Sequence, residues 1–129
     1  MKNLEQIRAA AALKTAPSTT KATVSKLPAM ILSNGLLATC AFAGEKKKDG
    51  KTPKRPDMKA ALDAAAAHLA KAEINISVLE NAKTSEDLIT KLTASDSLYL
   101  QRASTETLAF LSYLKRFTIR EGSEENPED

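Results

Sequence analysis

The sequence predicts an all-α fold, a compact single-domain helical bundle of about five to six helices around a central apolar helix. Three observations lead there. Of 129 residues, 43% are apolar but only 4% aromatic, and Trp is absent. The apolar mass is Ala and Leu, which favours closely packed helices; the β-branched and aromatic clusters of strands are missing. Residues 25–44 are apolar over almost their whole length, which suits a helix buried on most sides. Residues 95–117 carry apolar side chains at three- and four-residue spacing, the mark of an amphipathic helix. A chain of this length supplies one domain with one core, assigned here to residues 1–120.

The first helix is predicted over residues 3–15. Asn3 with Gln6 three residues later has capping-box spacing, and Leu4, Ile7 and Ala11 share a face. Pro17-Ser18-Thr19-Thr20 breaks the pattern. The second, central helix is predicted over residues 20–43. Val24, Leu27, Ile31, Gly35, Ala38 and Phe42 form its stripe, widened by Met30, Leu37 and Ala41 on one side and by Leu32 and Leu36 on the other. Pro28 lacks the amide that would bond Val24, so a kink or break is expected there. Gly35 costs a helix about 1 kcal/mol relative to Ala, a cost explained by close approach of another helix. Asn34 beside it then needs buried hydrogen-bond partners. Gly44 ends the helix.

Residues 45–56 hold six bases, two acids, two prolines and a glycine, and read as a mobile basic loop. Asp57 is the expected cap of the third helix, which runs to about Ala72 or beyond; Leu62, Ala66 and Leu69 give its buried stripe, joined by Ile76 if the helix extends that far. Residues 73–84 give no clear element, although Ile76, Val78 and Leu79 should pack inward. Thr84 with Asp87 forms a second capping-box-like start, for a helix running to about Leu92 with Leu88, Ile89 and Leu92 buried. Ser95 opens the last helix, to about Phe117. Leu100, Ala103, Thr107, Phe110, Leu111, Leu114 and Phe117 line its buried face, with Arg102, Lys115 and Arg116 opposite. Bases in the last turn suit the helix dipole. The acidic, Pro-containing tail of residues 121–129 is expected to be disordered.

The formal charge of +3 hides an asymmetry. The chain has 19 bases and 16 acids, and the tail takes five of the acids and none of the bases, so residues 1–120 carry a net +8. A basic body with an acidic tail points to a polyanion partner. The single cysteine rules out an internal disulfide and a cysteine-based metal site, and Cys40 reads as a small buried side chain. His68 is the only histidine. No second His or Cys completes a zinc site, and no partner residue supports acid–base work. Glu86 and Asp87 sit at a helix start and read as capping. No Gly-rich phosphate loop, nucleophile–His pair or metal-ligand cluster is present. No catalytic, cofactor or metal site is therefore expected, nor enzyme activity. The apolar run Ala9 to Leu13 is too short for a signal peptide. Ser33, Asn34 and Thr39 interrupt residues 27–44, and Pro28 and Gly35 weaken them, which argues against a membrane span. A cytoplasmic location is expected.

Two segments carry a family resemblance. Ser25-Lys26-Leu27-Pro28-Ala29-Met30-Ile31-Leu32-Ser33-Asn34-Gly35-Leu36 joins a Leu-Pro, an Ile and an Asn-Gly-Leu in one helix. Leu108-Ala109-Phe110-Leu111-Ser112-Tyr113-Leu114-Lys115-Arg116-Phe117 lies near the other end. Both resemble signatures of the small subunit of the Cmr complex, the type III-B CRISPR RAMP module, as do Asn3-Leu4-Glu5-Gln6 and the Ser95-Asp96-Ser97 start. Their order, spacing and the chain length make the match specific. It covers residues 3–43 and 95–118 and is weak over 45–94. Tyr113 stands where many members have Trp, and the loop 45–56 is not a family motif.

The resemblance implies a non-catalytic helical subunit acting in antiviral defence. Copies would stack along the ribonucleoprotein beside the backbone subunits and help form the groove for guide RNA and target RNA. The implied partners are the Cmr backbone and large subunits, further copies of this chain, and guide and target RNA through non-specific backbone contacts; no cofactor is implied. Candidate phosphate contacts are Lys21 and Lys26 on the second helix, Lys46, Lys47, Lys48, Lys51, Lys54 and Arg55 in the loop, and Lys115 and Arg116 on the last helix. Lys26 and Arg116 rank first because they lie inside the two motifs. The alternative reading is a free-standing helical nucleic-acid-binding or adaptor protein, which the basic loop alone would support.

Overall fold

The computed structural model describes residues 2–121. The expected acidic tail falls outside the described residues except for Glu121, which closes the last helix. Among the described residues there are six α-helices: α1 Leu4–Thr15, α2 Lys21–Asn34, α3 Leu36–Ala43, α4 Pro56–Leu69, α5 Ser85–Thr93 and α6 Ser97–Glu121. Short 3₁₀ turns occupy Ala16–Ser18, Ala72–Ile74 and Ser77–Leu79. No strand occurs among the described residues, so the all-α expectation holds; one isolated antiparallel bridge joins Lys46 and Pro53.

Both capping boxes form. The Asn3 side chain accepts the Gln6 amide, and the Asn3 amide donates to Gln6 Oε1, each at 2.9 Å. At α5 the Asp87 amide donates to Thr84 Oγ1 at 3.3 Å and the Thr84 amide donates to Asp87 Oδ2 at 3.1 Å. Each box satisfies two amides that the first helical turn leaves without partners.

The long second helix is two helices. α2 continues through Pro28, and the break comes at Gly35, whose φ of 95° and ψ of 158° lie outside any helical region. A Cβ on Gly35 would meet nothing within 4 Å. The glycine therefore answers to a backbone conformation rather than to a close neighbour. Asn34 is exposed and needs no buried partner. Leu32 is 74% exposed, so the segment is not buried all round.

Smaller differences follow local chemistry. Helix α4 starts at Pro56 with Arg55 at the N-cap. Proline's missing amide costs nothing in that first turn, and Asp57 lies inside the helix rather than capping it. The helix ends at Leu69 rather than near Ala72. Helix α6 begins at Ser97, with Asp96 Oδ1 accepting the Leu98 amide at 2.9 Å. The Ser95 hydroxyl instead donates to Lys91 O at 2.6 Å, closing α5. Leu4, expected on the buried face of α1, is 44% exposed.

Helices α4 and α6 make the largest single contributions to the core. Ala61, Leu62, Ala65, Ala66 and Leu69 from the first, and Ala103, Thr107, Phe110, Leu111 and Leu114 from the second, are fully buried. Helix α6 packs against α1, α2 and α4, while α3 and α5 pack on each other and on α4. Cys40 is buried in α3, and burial pushes its thiol up to about 12. Native protein treated with iodoacetamide at pH 8 should therefore keep Cys40 unmodified where urea-unfolded protein is alkylated, because the thiolate is the reactive species. Mass spectrometry of the two samples checks this; equal labelling would contradict the buried placement.

The basic loop folds back on itself as a hydrogen-bonded turn. The Lys47 amide donates to Thr52 O at 2.8 Å and the Lys54 amide to Glu45 O at 2.9 Å. Asp49 Oδ1 accepts the Lys51 and Thr52 amides, each at 2.8 Å, the side-chain-to-backbone pattern that stabilises tight turns. The turn hands the chain from α3 to the start of α4.

Candidate nucleic-acid interface

Three segments converge on one surface groove of about 580 Å³. Helix α2 buries Val24, Leu27 and Ile31, which leaves Lys26 and Met30, one turn apart, on its flank. Phe42 comes from the end of α3, Lys54 and Arg55 from the exit of the turn, and Asp57 and Met58 from the start of α4; all line the groove.

Arg55 fixes this corner. Its guanidinium carbon lies 3.5 Å from the centroid of the Phe42 ring, a cation–π contact. Its Nη1 donates to Phe42 O at 3.0 Å and to Glu45 Oε1 at 2.9 Å. The ion pair is 31% and 48% exposed on its two sides, so water screens it and the charge term alone is small. The main effect is geometric, holding the turn exit against α3.

The sequence-predicted bases are thus only partly gathered. Lys26, Lys54 and Arg55 share the groove, and part of the Arg55 donor set is committed to the protein itself. Lys46, Lys47, Lys48 and Lys51 are exposed on the turn but do not line the groove. Lys21 is exposed at the start of α2, and Lys115 and Arg116 are exposed on α6, also away from the groove lining.

A second polar cluster was not read from the sequence. Arg8 Nε and Nη2 donate to Glu106 Oε2 and Oε1, both at 2.7 Å, a bidentate pair. Glu106 Oε2 is also 2.9 Å from His68 Nε2. Burial pushes the Glu106 carboxyl up, but the bonds from Arg8 and His68 outweigh it and hold the group at about 2. The carboxylate is therefore ionised and accepts a hydrogen bond from His68 Nε2–H, while Nδ1 has no hydrogen-bond partner. The imidazole also stacks on Phe110, centroids 5.1 Å apart at 20°. His68 thus has the partner it was expected to lack, 38 residues further on. The usable signal was Glu106 itself, a charge three residues after Ala103 and four before Phe110, on the buried face. With the His68 side chain fully enclosed, the triad ties α1, α4 and α6 together.

The Glu86–Asp87 pair divides its work. Asp87 caps α5, whereas Glu86 pairs with Lys59 at 2.9 Å. Lys59 also meets Asp63 at 3.1 Å, and Asp63 Oδ1 accepts the Ser85 amide at 2.7 Å. Among the described residues no group of three or more His, Cys, Asp or Glu is placed to hold a metal ion. No helix among them is long and apolar enough to cross a membrane.

A family model described as CRISPR-associated protein (Cas_Cmr5) matches residues 2–120. The match includes residues 45–94, where the two sequence motifs gave little guidance. No curated protein and no solved structure matches the chain.

Proposed function

This chain belongs to the Cas_Cmr5 family of CRISPR-associated proteins, and on that premise we propose that it is a non-catalytic structural subunit of the cytoplasmic Cmr complex. It sits beside the backbone and large subunits, with further copies of itself, and lends positive charge to the groove that holds guide and target RNA. The observation that carries this reading is the convergence of Lys26 and Lys54, from separate segments, on one groove. Both are exposed, and neither forms an ion pair within the described chain. Enclosure of the His68–Glu106 pair supports the non-catalytic role, because the groups best suited to acid–base chemistry hold helices together.

A lone subunit with a few phosphate contacts binds RNA weakly, with Kd of roughly 10⁻⁴ to 10⁻⁶ M. Repetition along an assembly multiplies that attraction through effective concentration. In a reconstituted complex, K26A/K54A should weaken target binding for any RNA sequence. It should also flatten the plot of log affinity against log salt by about 1.4–1.8, the share of two phosphate contacts. Arg116→Ala is the companion variant, since Arg116 lies in the C-terminal motif but outside the groove. Fully assembled K26A/K54A complexes with unchanged affinity and salt slope would remove the groove from the RNA path.

A further inference from the structure

We propose that the groove between α2 and α4 is a site for one unpaired RNA nucleotide, its base on the Arg55–Phe42 stack and its phosphate toward Lys26 and Lys54. This deepens the reading above and rests on it for the identity of the polyanion. Phosphates alone do not account for the lining. Met30, Phe42 and Met58 form apolar wall there, and a phosphate gains nothing from a thioether or a ring. The face of a base does.

The Arg55 guanidinium is a ready platform. Phe42 covers one of its faces at 3.5 Å, two bonds from Nη1 set its orientation, and the side chain stays 31% exposed while lining the groove. A planar cation held this way stacks a base with little ordering cost. The volume of about 580 Å³ falls within the roughly 300–1,000 Å³ of small-ligand clefts.

Charge refines the ligand. Asp57 lines the groove as well, so the lining is not uniformly cationic. A nucleotide resolves the conflict, with its phosphate on the lysine side and a base edge bearing N–H donors toward the carboxylate. A base inside a duplex is stacked on both faces and has no face free for Arg55, so the site selects unpaired RNA.

The test needs the full chain alone. In an NMR titration with guanosine monophosphate, the Met30 and Met58 methyl and Arg55 Nε–H resonances should shift. Ribose 5-phosphate at the same concentration, which keeps the phosphate and lacks the base, should leave the methyls in place. Equal shifts from ribose 5-phosphate or from an oligo-aspartate peptide would overturn the proposal, as would no shift with the nucleotide. Arg55→Lys keeps the charge and loses the plane. It should weaken binding to a single-stranded RNA 12-mer about tenfold and change duplex RNA binding less than about twofold. The two failures separate cleanly. If K26A/K54A leaves all RNA binding intact, both readings fall. If it weakens single and double strands alike while Arg55→Lys shows no preference, the phosphate groove stands and the nucleotide site falls.

Discussion

Glu106→Leu is expected to lower the unfolding temperature by about 9–18 °C. Glu106 is the shared acceptor of Arg8 and His68. Removing one member of a buried charged network leaves the others uncompensated and costs about 3 kcal/mol; a domain of this size shifts by about 3–6 °C for each kcal/mol. The two donors suffer unequally. The Arg8 side chain is 24% exposed and can turn to water, whereas His68 is sealed in with both ring nitrogens unpaired. The double variant H68L/E106L should therefore be no less stable than Glu106→Leu alone, because it removes the orphaned imidazole with its acceptor.

The same carboxylate sets a pH dependence. Its ordinary value of 4.5 is depressed to about 2 in the fold, so the unfolded chain takes up the proton first as pH falls. The stabilisation is complete above about pH 4.5 and is lost as pH drops toward 2. Glu106→Gln should lose less stability than the wild type over that window. Denaturant titrations at pH 6, 4 and 2 measure both points. A Glu106→Leu protein within 1 kcal/mol of wild type would show that the network is dispensable.

What was legible in the sequence was local. The Asn3–Gln6 and Thr84–Asp87 boxes depend on side chains three residues apart, and both form as expected. The buried stripe of α6 depends on a period that repeats along one segment, and Ala103, Phe110, Leu111 and Leu114 are buried as it requires. The triad was not legible because Arg8, His68 and Glu106 meet only once α1, α4 and α6 have packed. The Arg55–Phe42 contact bridges 13 residues across a turn that composition alone presents as open chain. For the candidate interface, exposure of the lysines followed from their type, but the gathering of Lys26 with Lys54 depends on where α2 lies against α4. Gly35 was legible as an anomaly without its cause, since a glycine in a helical pattern answers equally to crowding or to an unusual backbone conformation.

That ambiguity yields the second large effect. Gly35→Ala and Gly35→Leu are expected to cost the same, about 1–3 kcal/mol each, because the cost lies in the backbone. At φ 95° and ψ 158° an L side chain of any size clashes with its own chain, while nothing else lies within 4 Å of the Cβ position. Crowding would instead scale with side-chain volume. The residue also has two structural duties. Its amide donates to Ile31 O at 2.8 Å to close α2. Its carbonyl accepts the Thr39 amide at 3.2 Å and the Thr39 hydroxyl at 2.8 Å to open α3. Driving φ negative breaks that hand-over and redirects α3, which carries Phe42 into the groove beside Met30 of α2. Stability and nucleotide binding should therefore fall together in both variants, and a D-alanine placed at 35 by semisynthesis should restore both, since its preferred φ is positive. Denaturant unfolding of the three proteins, with the nucleotide titration repeated on each, reads the outcome. A Leu variant several kcal/mol less stable than the Ala variant would show that a neighbour crowds this corner after all.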